Sequence, residues 1–267
     1  MPNKVGLVSI SFRKHSPDRI LQAAAKADLQ LIEWGGDVHV PHGDLQTADE
    51  IVARSAQYNM GIAEYGSYYV IGKSAPQLFM SAAETARRLG TNTIRVWPGM
   101  NILVEALTGK PSPMAQIEGL PFSLQRISEQ NYQEMVADAK RICDATPDLT
   151  IALECHPGTL TETYPLALRF LQDVDRKNIK MMWQPNQMES LEYDLKSIEA
   201  LLPWIVGVHV FAWGRQGERF PLKQHEKYWH ARLELLRRKE LNYMLEFMPD
   251  DRLESLPKEA ETLKCWI

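Results

Sequence analysis

KVGLVSISFRKHSPDRILQAAAKA (residues 4–27) decides between the two common ways of folding an alternating α/β chain. KVGLVSI (4–10) reads as a strand, and SPDRILQAAAKA (16–27) reads as a helix with Ser16 as N-cap and Pro17 in its first turn. The connection between them, SISFRKHS (9–16), contains no glycine. A doubly wound, dinucleotide-binding sheet needs a glycine fingerprint at that turn, so that the backbone can approach a pyrophosphate. A closed barrel has no such requirement.

Outward from this stretch the alternation continues. Strands are expected at LQLIEW (29–34), GIAEYG (61–66), TIRVW (93–97), LTIALE (149–154), IKMMWQ (179–184), IVGVHVF (205–211) and LNYMLEF (241–247). Helices are expected at 47–58, 75–89, 128–145, 163–174, 194–202, 225–239 and 252–266, the first of these opened by a Thr47–Glu50 capping box. Short strands with few charges suit a parallel sheet covered on both faces. Eight strand–helix units over 267 residues point to a single (β/α)8 TIM barrel spanning 1–267, with no linker to divide it. The longest segment outside the repeat, 98–127, follows strand four on the face where strands end. Its length suits a lid, a surface excursion or an oligomer contact.

Composition sets outer limits. The chain is 45% hydrophobic and 24% charged, enough for a substantial core. A net charge of −4 supplies no attraction for nucleic acid or an anionic membrane. The first strand lacks the basic flank and cleavage site of a signal peptide, and no apolar stretch reaches the about 18 residues of a membrane span. Three cysteines (Cys143, Cys155, Cys265) without a CxxC pair suit a reducing, cytoplasmic setting; they are expected in buried packing and none is assigned a metal.

In a barrel of this kind the active site lies where the strands end. Those ends carry Glu33, Glu64, Arg95, Glu154 with His156, Gln184 with Gln187, His209 and Glu246. An ionisable group ending an apolar strand is costly unless it is paired or ligating. Any one of them alone reads as an ordinary salt-bridged or hydrogen-bonded residue. Together, Glu154, His209 and Glu246 suit a divalent cation, Mn²⁺ or Mg²⁺ ahead of Zn²⁺ or Co²⁺. Glu33, Glu64 and Arg95 are expected to pair with one another in a supporting role. His15, His39 and His42 are expected as solvated loop residues. Trp34, Trp97 and Trp213 fall near the mouth, where aromatic walls would suit the apolar face of a sugar.

The segments IEWGGDVHVPHGD (32–44), ALECHPGTLTET (152–163), VGVHVFAWGR (206–215) and YMLEF (243–247) resemble the xylose-isomerase-like TIM barrels. These include sugar and sugar-phosphate isomerases and epimerases similar to tagatose epimerase and hydroxypyruvate isomerase, and inosose dehydratase. The resemblance implies a metal held by Glu154, by an acid on strand six, by His209 and by Glu246. It also implies that Arg215 binds a substrate oxygen, that His156 faces the substrate, and that oligomers are common. Strand six departs: MMWQPNQ (181–187) puts Gln184 where the resemblance has Asp and Gln187 where it has His. An amide oxygen can ligate but brings no charge, so the cation would be held less tightly and act as a stronger Lewis acid. Gln184 could then serve as a neutral ligand, the substrate's oxygens could complete the shell, or the site could bind without turnover.

The expected function is metal-dependent isomerisation or epimerisation of a small carbohydrate through an enediolate, with Glu154 and Glu246 as both ligands and proton carriers. Dehydration of a cyclic polyol ketone or shikimate-type acid is the alternative, and a non-catalytic sugar-binding barrel a further one. A DNA-repair endonuclease of the same superfamily would need several zinc ions and more strand-end histidines. Gly158, Thr159 and Thr161 could hydrogen-bond a phosphate, although a plain helix cap suits them better.

Overall fold

The computed structural model describes residues 4–99 and 127–267. Eight parallel strands close into a barrel in chain order: β1 (Lys4–Val8), β2 (Leu31–Gly35), β3 (Gly61–Ile71), β4 (Thr93–Pro98), β5 (Thr150–Glu154), β6 (Ile179–Trp183), β7 (Ile205–Val210) and β8 (Asn242–Leu245). β8 pairs with β1 through Val5↔Tyr243 and Leu7↔Leu245, which removes both sheet edges. Among the described residues the α-helices are α1 (Pro17–Lys26), α2 (Leu45–Gln57), α3 (Pro76–Leu89), α4 (Glu129–Ala145), α5 (Tyr164–Val174), α6 (Leu191–Leu201), α7 (Glu226–Leu236) and α8 (Leu256–Trp266). None is long and apolar enough to cross a membrane.

The period-two alternation of each strand sorts its side chains into two layers. One set, including Leu7, Ile32, Trp34, Tyr65, Val96, Leu153, Trp183, Val208 and Tyr243, joins the main core with the helices. Val8, Ile10, Leu31 and Met244 form a smaller cluster of their own. Two glycines make room for methionines on the neighbouring strands, where Gly6 pairs with Met244 and Gly207 with Met182. A Cβ on Gly6 would lie 2.6 Å from Met244 Sδ, and one on Gly207 would lie 2.5 Å from Met182 Cε. Toward the strand ends the interior set turns polar, with Glu33, Glu64, Arg95, Glu154 and His209 all buried.

Some local expectations change. Asp44, not Thr47, caps α2: its carboxylate accepts from the backbone N of Thr47 at 3.0 Å and from the Thr47 hydroxyl at 2.7 Å. β3 continues past Gly66 to Ile71 across an irregularity between Gly66 and Tyr69, where Tyr68 takes φ 53°. Cys143 is buried as expected, but Cys155 is only partly buried and Cys265 is exposed near the end of α8. His39 is buried, with Nδ1 3.0 Å from the Ser9 hydroxyl, and His15 and His42 are half-buried, so none of the three is a freely solvated loop residue. The segment 98–127, expected as a lid, a surface excursion or an oligomer contact, lies, apart from its two ends, outside the described residues.

Candidate active site

Four strand ends converge. Glu154 is the last residue of β5, Gln184 follows β6, His209 is the penultimate residue of β7, and Glu246 follows β8. The Glu246 N–H donates to the Val210 carbonyl at 3.0 Å, continuing the ladder one step past β8. One ligand atom from each of Glu154, His209 and Glu246 lies within 4.8 Å of the other two, and all three residues are buried. His209 Nδ1 is their common neighbour, 3.8 Å from Glu154 Oε1 and 3.5 Å from Glu246 Oε2. The amide oxygen of Gln184 stands 3.1 Å from the same nitrogen. Two carboxylates, an amide oxygen and an imidazole nitrogen facing one point make a donor set that fits a divalent cation of the Mn²⁺ or Mg²⁺ kind.

The electrostatics agree. Burial opposes charge on His209, but Glu246, Glu33 and Glu154 outweigh it and push the imidazole up to about 10. A potential negative enough to hold a proton that firmly is one that attracts a cation. The two carboxylates are unequal. Burial would raise Glu154, but Arg95, His209 and His156 hold it below the ordinary range. Its Oε2 accepts from both Arg95 Nη1 and Trp97 Nε1. Burial, aided by Glu154 and opposed by His209, pushes Glu246 up to about 7.

A second ring of buried charge supports the first. Glu33 Oε2 lies 2.9 Å from His209 Nε2, and Glu33 Oε1 accepts from Arg95 Nε at 2.8 Å. Burial would raise Glu33, yet Arg95 and His209 pull it down to about 2. Glu64 goes the other way: burial and the nearby Glu33 push it up to about 8, and its Oε2 has no hydrogen-bond partner among the described residues. The supporting set expected from the sequence is therefore rearranged. Arg95 joins Glu33 to Glu154, and Glu64 stands apart as a neutral carboxyl at neutral pH.

The mouth is aromatic on one side. Trp97 lies between Tyr68, with ring centroids 4.9 Å apart, and His156 at 5.3 Å. Tyr68 also covers Arg95, whose guanidinium carbon is 5.0 Å from the ring centre. His156 Nδ1 is 2.7 Å from the Pro157 carbonyl, an acceptor only. The ring must carry its hydrogen on Nδ1, which leaves the Nε2 lone pair available when the ring is neutral. Elsewhere, Trp213 contacts Phe211 and Phe247 under the Arg219 guanidinium.

Other expected residues fall outside this cluster. Trp34 belongs to the outer layer: it is fully buried in the main core, edge-on to His39 at 5.6 Å, and presents no surface to a ligand. Strand alternation explains this, since Glu33, its neighbour, faces the barrel interior. Arg215 is exposed at the turn Gly214–Gly217, while Arg219 on the returning limb contacts the Trp213 ring. Gln187 is half-buried in the loop after β6, where Asn186 makes the hydrogen bonds that pin the loop. The hydroxyls of Thr159 and Thr161 donate to the His156 and Glu154 carbonyls, so they stiffen this loop and are not free to donate to a phosphate. Tyr68 was not singled out from the sequence. Its place follows from the irregularity in β3, which no local propensity marks.

Comparison with known proteins agrees with the fold. The barrel superposes on the crystal structure of the probable 3-DHS dehydratase involved in petrobactin synthesis from Bacillus anthracis, with a TM-score of 0.74 at 23% identity over 98% of both chains. It also superposes on D-psicose 3-epimerase from Clostridium cellulolyticum H10, with a TM-score of 0.66 at 11% identity over 98% of this chain and 97% of the other. A 3-dehydroshikimate dehydratase of Bacillus anthracis is 36% identical over 90 residues, a stretch that covers 31% of this chain and 30% of that relative. The sequence profile of one family matches residues 21–263, and the chain is accordingly a member of the xylose isomerase-like TIM barrel family.

Proposed function

We propose that this barrel is a divalent-cation-dependent enzyme that removes a proton next to a carbonyl, and that its leading reaction is dehydration of a cyclic hydroxyketo acid of the 3-dehydroshikimate type. The observation that carries the reading is the inequality of Glu154 and Glu246 around one common point. Epimerisation calls for two carboxylates that exchange roles across a planar intermediate. Here Glu154 is committed to Arg95 and Trp97, while burial raises Glu246, which leaves it the readier of the two to take and return a proton. One proton carrier suffices for elimination. The Glu246 carboxylate takes the α-proton, the electron pair forms the enol, the β-carbon–oxygen bond breaks, and the proton on Glu246 leaves with the hydroxyl as water.

Glu154, Gln184, His209 and Glu246 would hold the cation, which when bound supplies Lewis-acid stabilisation of charge developing on the carbonyl oxygen. Tyr68, Trp97 and His156 line one side of the mouth, and His156 Nε2, in the neutral ring, accepts a hydrogen bond from a substrate hydroxyl. The partial match to a 3-dehydroshikimate dehydratase supports the choice of substrate class.

Isomerisation or epimerisation of a ketose is the second reading, supported by the shared barrel of the D-psicose 3-epimerases. Incubation with Mn²⁺ in D₂O, using 3-dehydroshikimate and a panel of ketoses and inososes, separates the two. Dehydration appears as a product lighter by one water. Deuterium wash-in without mass loss identifies the isomerase or epimerase. Bound cation with no exchange on any compound would leave a binding protein and overturn both readings.

A further inference from the structure

We propose that Glu33 acts as a positioning residue that supplies, through His209, the negative charge strand six lacks, and that it selects Nδ1 of His209 as the liganding nitrogen. This rests on the metal-site reading above. Glu33 is fully buried, at 0% exposure, on the opposite side of the imidazole from Glu154 and Glu246. Its Oε2 lies 2.9 Å from Nε2, while Nδ1 of the same ring faces Gln184, Glu246 and Glu154 at 3.1, 3.5 and 3.8 Å. A carboxylate paired with Arg95 carries no proton to give, so Nε2–H must be the donor. In a neutral ring that leaves the lone pair on Nδ1, pointing into the cluster. A carboxylate behind a ligating histidine also makes the ligand more basic. Gln184 contributes an oxygen without charge, and Glu33 is a buried carboxylate in direct contact with a ligand.

The placement is built in. Arg95 grips Glu33 Oε1 through Nε at 2.8 Å and reaches Glu154 through Nη1, so one guanidinium sets the spacing between the carboxylate behind His209 and a carboxylate in front of it. Gly66 leaves the space for this pair. A Cβ there would stand 2.5 Å from Arg95 Nη2 and 2.8 Å from Glu33 Oε1.

Mn²⁺ titration by calorimetry tests the inference on four full-length proteins: wild type, Glu33→Gln, Gln184→Asp and the double variant. Glu33→Gln is expected to bind roughly 10- to 100-fold more weakly, the range for losing such an outer partner. Gln184→Asp in the Glu33→Gln background is expected to regain most of that loss. Glu33→Gln binding within a few-fold of wild type, or no recovery in the double variant, overturns the proposal. Wild type that binds no Mn²⁺ sinks the metal reading itself. Should Glu33→Gln fail to fold, wild-type protein with ¹⁵N-labelled histidine decides. Mg²⁺ must shift Nδ1 of the ring whose signals vanish in His209→Gln and leave its Nε2 protonated; a shift at Nε2 overturns the selection of Nδ1.

Discussion

His39 is 6% exposed and hydrogen-bonds Ser9 through Nδ1 at 3.0 Å. Burial above all, with Arg13 adding to it, pulls its ring down from 6.5 to about 4. In the unfolded chain this histidine gains a proton as pH falls through 6.5; in the folded barrel it does so only near 4. Between those values the unfolded state binds more protons, so this contribution is complete above pH 6.5 and is lost as pH falls toward 4. Linkage puts the loss at about 3 kcal/mol at most. Urea midpoints at pH 7.5 and 4.5 should therefore drop more steeply for wild type than for His39→Gln. Parallel drops would show that His39 is not held neutral. At Glu246 the expected outcome is kinetic. Glu246→Gln should lower kcat by about 10²- to 10⁴-fold, the usual share of a proton carrier, and abolish deuterium exchange with it. Full activity in that variant would remove Glu246 from the mechanism.

Between elements, the loop that carries Gln184 is anchored by a buried ion pair. Asp194 on α6 accepts from Arg232 on α7 at 2.7 and 3.0 Å, and its other oxygen accepts from the Asn186 backbone at 3.3 Å. Arg232→Met should leave Asp194 buried and unpaired, at a cost of about 3–5 kcal/mol, measurable as a shifted urea midpoint. A change under about 1 kcal/mol would mean that water screens the pair as it does at a surface. The ends of these elements were only partly readable. Ser128 caps α4, accepting from Asn131 N at 3.1 Å, so this helix begins one residue inside the expected 128–145. Thr47 with Glu50 makes as good a local capping signal as Asp44, so the sequence does not choose between them; in the fold Asp44 is the cap. The run of β3 beyond Gly66 was hidden for a related reason. SYYVI suits a strand by composition, but a residue at φ 53° breaks the alternation that would have announced it.

For the molecule as a whole, the candidate ligands come from four different strands, so a cation that binds them binds the folded barrel and not the unfolded chain. Mn²⁺ at 100 times its dissociation constant should add about 2.7 kcal/mol of stability. For a chain of this size that raises Tm by roughly 5–10 °C, and EDTA should reverse it. A melting curve indifferent to both would mean that the four strand ends hold no ion.

By itself the sequence determined the alternation of eight strands with helices, hence a closed parallel barrel. It also determined that Glu154, His209 and Glu246 stand at strand ends where a barrel gathers its chemistry. Those features are local or follow from chain order. Tertiary structure alone decided which face each residue takes. Both faces of a parallel sheet are apolar, so the pattern does not mark the interior: Glu33 goes into the barrel and Trp34 into the outer core, although both fall at the same strand end. It alone also joined Glu33 to His209 across 176 positions of sequence, and Arg95 to both Glu33 and Glu154. Such contacts are set by barrel closure and strand register, and no neighbouring residue encodes them.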